Sequence, residues 1–249
     1  MNKGPIFEKH ERTPVLLQAL IFTLALIFIT YYKQELIINR VLADSILFYA
    51  CSLFVVLLHE YGHKYVAYTV AYTATIKTSK GGLLTSAIVL FYTFARIPLI
   101  IGNPIEIDAN TRKRLGKERQ YDNRKQYALI GFGGILGSTI AIAALMTLYQ
   151  FSEVHQLRSV ALIAGVHAIS SLIPWELAQI FTLKFKRNLV EAIPGDGLLI
   201  MRWHVAAWIF ALVYIIIFVI LAISGSTTAF ASALVLGLLT TIAYSFTLE

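Results

Sequence analysis

The apolar run Ile46-Leu47-Phe48-Tyr49-Ala50-Cys51-Ser52-Leu53-Phe54-Val55-Val56 continues without a break into Leu57-Leu58-His59-Glu60-Tyr61-Gly62-His63-Lys64. A run of this length and character reads as a membrane helix, and three ionisable side chains within one turn of it are costly unless something pairs them. The fold is thus constrained twice. The chain must cross a bilayer, and it must bring partners to His59, Glu60 and His63 at membrane depth.

The composition suits a bilayer: 57% hydrophobic residues, 14% charged, and a mean hydropathy of +0.70. Soluble domains carry roughly 25% charged residues. A net charge of +7 would invite a nucleic-acid reading in a soluble protein. Here the basic residues gather in loops, so cytoplasmic loop bias accounts for them and no nucleic-acid partner is expected. The single cysteine, Cys51, lies within an apolar run, which excludes a disulfide framework. The polar residues 1–13 lead into a run long enough to span, so the first span is expected to act as a signal anchor rather than a cleaved signal peptide.

Hydropathy places spans at about 14–32, 45–66, 127–149, 159–182, 198–223 and 229–246. The expectation is an all-α polytopic membrane protein with about six transmembrane helices. Residues 75–107 do not fit a simple span, because Gly81-Gly82, Arg96 and Pro98 interrupt them. Arg112, Lys113, Arg114, Lys117, Arg119, Arg124 and Lys125 then form the most basic loop. Treating 75–107 as a re-entrant or small β-containing element keeps 64–126 on one side, and the positive-inside rule makes that side cytoplasmic. Lys184, Lys186 and Arg187 then also face the cytoplasm, as do both termini. The expected product is one multi-pass domain, 1–249, in the cell membrane.

On a helix, His59 and His63 project from one face, about 6 Å apart at Cβ. That spacing suits two imidazoles on one zinc ion, with Glu60 beside them as general base. Such a site needs a third ligand and an open position. His167, Glu176, Glu191, Asp196 and His204 are the candidates in apolar surroundings. Asp196 ends Ile193-Pro194-Gly195-Asp196, and broken backbone of this kind builds ion sites within bilayers. Aspartate before a helix is equally a favoured N-cap, and the two roles are compatible. His167 reads as a hydrogen-bonded intramembrane residue, and His204, beside Arg202 and Trp203, as an interfacial anchor.

His59-Glu60-Tyr61-Gly62-His63 together with Pro194-Gly195-Asp196-Gly197 resembles the site-2 protease family of intramembrane zinc metalloproteases. The run Gly131-Phe132-Gly133-Gly134-Ile135-Leu136-Gly137 resembles the family's glycine-proline-x-x-asparagine element, with Gly134 and Gly137 in place of proline and asparagine. The resemblance implies one zinc ion per chain on His59, His63 and Asp196, with Glu60 as the catalytic base. It implies a transmembrane protein as substrate, and a minimal enzyme without a PDZ-like or nucleotide-sensing domain. The family's asparagine-leucine-x-proline element has two candidates, Asn188-Leu189-Val190-Glu191 and Ser171-Leu172-Ile173-Pro174. Depth favours the second: from Ser159, Ser171 lies about 18 Å in, near the level of His59, and Asn188 about 43 Å in. Ser171 or Asn188 would assist at the oxyanion. A sheet-like 75–107 would offer an edge strand to hold an unwound substrate.

Three other readings share the first motif. A membrane zinc protease of the type acting on prenylated C-termini would draw its third ligand from Glu176. A metal transporter would space acidic or histidine residues along several spans. A non-catalytic relative would bind membrane helices without cutting them, and such a relative usually shows a broken motif.

Overall fold

The computed structural model describes residues 5–32, 38–78, 80–93, 98, 100–109, 123–174, 195–225, 232–233 and 235–237. A short 3-10 turn, Lys9–Glu11, leads into α1 (Arg12–Tyr31) and α2 (Ile38–Thr69). Strand β1 (Tyr72–Ile76), helix α3 (Lys80–Tyr92) and strand β2 (Ile105–Ala109) follow. The chain continues through α4 (Arg124–Ser152), α5 (His155–Leu172), α6 (Asp196–Trp203) and α7 (Val205–Ile223).

Four helices among the described residues are long and apolar enough to cross a membrane: α1 with its preceding turn, α2, α4 and α7. Large side chains such as Leu16, Leu20, Ile46, Ile140, Leu148 and Ile220 stand exposed on them. In water that much apolar surface would drive association; against lipid tails it is the ordinary helix exterior. The chain is mostly helical and has the build of a membrane protein.

Two details depart from the sequence reading. The span expected at 198–223 is two helices, α6 and α7, separated at His204. His204 has an extended backbone (φ −159°, ψ 125°), and its Nδ1 accepts from the Ala206 amide at 3.2 Å, which starts a new helix. His204 is exposed with its ring near Trp203, and this capping role adds to the anchoring expected of it. Within the span expected at 159–182, α5 ends at Leu172, and Ile173 turns extended ahead of Pro174, a residue that disfavours helix before it. Residues 175–194 lie outside the described set, as does most of 229–246, where 232–233 and 235–237 are helical.

The 75–107 region resolves into a helix flanked by strands. The 13-residue α3 is about 20 Å long, too short to span a core of about 30 Å. The strands pair antiparallel, Tyr72 with Ala109, Ala74 with Ile107 and Ile76 with Ile105. Ala71, at φ 63°, reverses the chain between α2 and β1. A buried ion pair ties this sheet to the motif-bearing helix: Lys64 Nζ lies 2.7 Å from Glu11 Oε1, which also accepts from the Ile76 amide at 2.9 Å. Lys64 donates as well to the Ala74 carbonyl at 3.1 Å.

Candidate metal centre

Helix α2 makes its most extensive contact with α4, and glycine is the reason the two can come so close. A Cβ on Gly62 would lie 2.0 Å from the Gly133 carbonyl oxygen, and one on Gly137 would lie 2.1 Å from the Leu58 carbonyl oxygen. Both are backbone contacts that no side-chain rotation relieves. The small-residue run of α4 therefore serves backbone-to-backbone packing of the kind membrane helices use.

That approach sets the histidines. His63 Nδ1 donates to the Ile130 carbonyl at 2.7 Å. His59 Nδ1 lies 3.0 Å from the Gly134 carbonyl and 2.9 Å from Ser138 Oγ. Carbonyl acceptors fix the proton on each Nδ1, so each Nε2 carries a lone pair. Those two Nε2 atoms face each other at 3.2 Å. Two lone pairs so placed repel unless a proton or cation lies between them.

Asp196 completes the group. Its Oδ1 lies 3.3 Å from His63 Nε2 and its Oδ2 lies 3.5 Å from His59 Nε2. The loop-to-helix turn that places it depends on glycine again: a Cβ on Gly197 would lie 2.0 Å from the Leu172 carbonyl oxygen. A Cβ on Gly131 would meet the Asp196 carbonyl at 3.2 Å. Asp196 is thus wedged between the end of α5 and a gap on α4. The N-cap of α6 is Gly195, and Asp196 is the first helical residue, with its carboxylate facing the histidines.

His59, Glu60, His63 and Asp196 are all buried, with at most 4% of any one exposed. The two Nε2 atoms, 3.2 Å apart, are close to the edge of a tetrahedron, about 3.3–3.4 Å for metal–ligand bonds near 2.0–2.1 Å, and the Asp196 carboxylate turns one oxygen to each of them. Gly134 leaves the centre open, since a Cβ there would lie 2.2 Å from His63 Nε2 and 2.9 Å from His59 Cε1. These residues form the one cluster of three or more metal-ligating side chains among the described residues, and they could hold a metal ion.

Glu60 stands beside the cluster, fully buried. Its Oε1 accepts from Asn103 Nδ2 at 3.3 Å, and its Oε2 has no hydrogen-bond partner among the described residues. Of the other sequence candidates, His167 is buried and packs edge-on against the His59 ring, centroids 4.9 Å apart, with its own nitrogens engaged by Gln18 Nε2 at 3.3 Å and the Ile100 carbonyl at 3.3 Å. Ser171 returns its hydroxyl to the Ala168 carbonyl of its own helix at 3.0 Å. Glu176, Asn188 and Glu191 lie outside the described residues.

Sequence reasoning missed Ser138, Asn103 and Gln18. Gln18 carried a usable signal, a polar amide in the middle of an apolar span. Asn103 sits in Gly102-Asn103-Pro104, which reads as an ordinary turn, and Ser138 is one more small residue in a small-residue run. No family model, no curated protein and no solved structure matches this chain.

Proposed function

We propose that this protein is a zinc-dependent intramembrane endopeptidase that cuts transmembrane segments of partner membrane proteins. The observation that carries the reading is the buried His59–His63–Asp196 cluster, its ligand atoms converging from two helices, with a carboxylate, Glu60, beside the histidines on their own helix. Two imidazoles and a carboxylate are a donor set zinc favours in catalytic sites, where a fourth position stays open. The resemblance of the two motifs to the site-2 protease family supports the same reading.

A zinc ion bound there supplies Lewis acidity, polarising a carbonyl and bringing the pKa of water towards about 7. Glu60 takes the proton from the attacking water and passes it to the leaving amine. The buried setting excludes bulk water from the reacting groups and strengthens their electrostatic interactions. His59 and His63 are held in one tautomer by Ser138 and the α4 carbonyls, so no reorientation is needed during reaction.

A substrate helix must unwind before its peptide bond can be reached. In the antiparallel pair β1–β2, Glu11 takes the outward Ile76 amide and Lys64 the outward Ala74 carbonyl of β1, so an extended substrate would add at the outer edge of β2. In the same reading, six spans put both termini and the basic loops in the cytoplasm, and β1–α3–β2 is the re-entrant element on that side.

The test compares membrane proteins of cells carrying the active chain with those of cells carrying Glu60→Gln. Soluble fragments that appear only with the active chain are expected. Identical fragment patterns together with zinc in both proteins would leave a metal site without proteolysis.

A further inference from the structure

A second buried polar group lies behind the metal cluster and shares no ligand with it. Asn103 is 8% exposed, Gln18 and His167 are fully buried, and all three come from different parts of the chain. The direction of each hydrogen bond follows from the ends. The Ile100 carbonyl can only accept, so His167 Nδ1 donates to it at 3.3 Å and His167 Nε2 must accept. Gln18 Nε2, 3.3 Å away, is then the donor to His167, which turns Gln18 Oε1 towards Asn103. Asn103 Nδ2 points its two N–H bonds at three acceptors, that oxygen, Glu60 Oε1 at 3.3 Å and the Pro14 carbonyl at 3.4 Å.

The amide of Asn103 therefore cannot flip without placing its oxygen against three oxygens, those of Gln18, Glu60 and Pro14. Its orientation is decided by His167, two hydrogen bonds away. The result at Glu60 is asymmetry: Oε1 is occupied, and Oε2 is left buried with no hydrogen-bond partner among the described residues. His63 and Asp196 are among the groups that act electrostatically on this carboxylate.

We propose that Asn103 is the positioning residue for Glu60: anchored by Gln18 and His167, its side-chain amide holds one carboxylate oxygen so that the other is presented to the metal pocket. The inference rests on the protease reading for its kinetic consequence but not for its geometry. It also gives the 75–107 region a second role. The segment Ile100 to Asn103 docks on α1, α2 and α5 and contributes a group to the site, beyond any part it has in holding substrate.

The test uses the purified full chain as wild type, Asn103→Leu, Asn103→Asp and Glu60→Gln, each checked for a monodisperse elution profile. Asn103→Leu keeps the volume and removes both donors; Asn103→Asp keeps the shape and turns donors into acceptors. With a single-span peptide that the wild type cuts, both Asn103 variants are expected to lose roughly 10- to 100-fold in kcat, with KM within about twofold. Zinc content should stay at the wild-type level. With cobalt in place of zinc, Asn103→Leu should shift the visible absorption spectrum in the same direction as Glu60→Gln. The cobalt spectrum needs no proteolysis, so a chain that cuts nothing but shows this shift would sink the protease reading and keep the positioning role. Wild-type kcat with an unshifted spectrum in Asn103→Leu would overturn the positioning role and leave the protease reading intact. A loss that falls wholly on KM or on zinc content would overturn it as well.

Discussion

Gly62 of α2 and Gly133 of α4 meet backbone to backbone: a Cβ on either would lie 2.0 to 2.5 Å from the carbonyl oxygen of the other. Everything at the metal cluster depends on that crossing, because His59 and His63 take their hydrogen bonds from α4 one turn to either side. Gly133→Ala should push the helices apart, with a destabilisation of about 1–3 kcal/mol and loss of bound metal. Thermal unfolding in detergent and metal analysis check both. Gly81→Ala, with no atom within 4 Å of the added carbon, is the control and should change neither.

Gly134→Ala should separate metal binding from helix packing. The added Cβ falls 2.2 Å from both Nε2 and Cε1 of His63, within the space where the three ligand atoms converge. Metal content is expected to fall to background while the elution profile stays monodisperse. Full metal occupancy in this variant would place the ion elsewhere.

Ser138→Ala removes the hydroxyl 2.9 Å from His59 Nδ1 and leaves the Gly134 carbonyl to hold the ring alone. Losses on removing such an outer partner run at roughly 10–100-fold in metal affinity or activity. Competition with a chromophoric chelator measures the affinity directly.

The Lys64–Glu11 pair predicts a different phenotype. Both groups are buried, and Lys64→Met leaves the Glu11 carboxylate without its cation. Removing one partner of a buried pair destabilises by about 3–5 kcal/mol. The loss should appear in thermal unfolding, and the double variant Lys64→Met with Glu11→Leu should recover part of it. Metal content should be unchanged, since neither residue touches the cluster.

Four spans and the His59–His63 pair are legible in the sequence because both are local: apolar length fixes the first and helical periodicity the second. Asp196 was legible through its proline- and glycine-rich approach, although the kink at His204 was not, because Arg202-Trp203-His204 interrupts hydropathy too briefly to show. A small β-containing element was expected across 75–107, but its register was not legible, because strands 72–76 and 105–109 pair across an intervening helix and no local pattern reports such a pairing. Asn103 was hidden for the same reason. Its partners Gln18, Glu60 and His167 lie on three separate helices, and only the packed fold brings them together.

The central claim is that Glu60 works as a base beside a metal held by His59, His63 and Asp196. Zinc stoichiometry and peptide cleavage, measured together on wild type, Glu60→Gln, His63→Ala and Asp196→Asn in liposomes, test it most directly. The expected result is about one zinc per chain with cleavage in the wild type, zinc without cleavage in Glu60→Gln, neither in His63→Ala, and both weakened in Asp196→Asn. Normal cleavage by Glu60→Gln, or full zinc in His63→Ala, would contradict it.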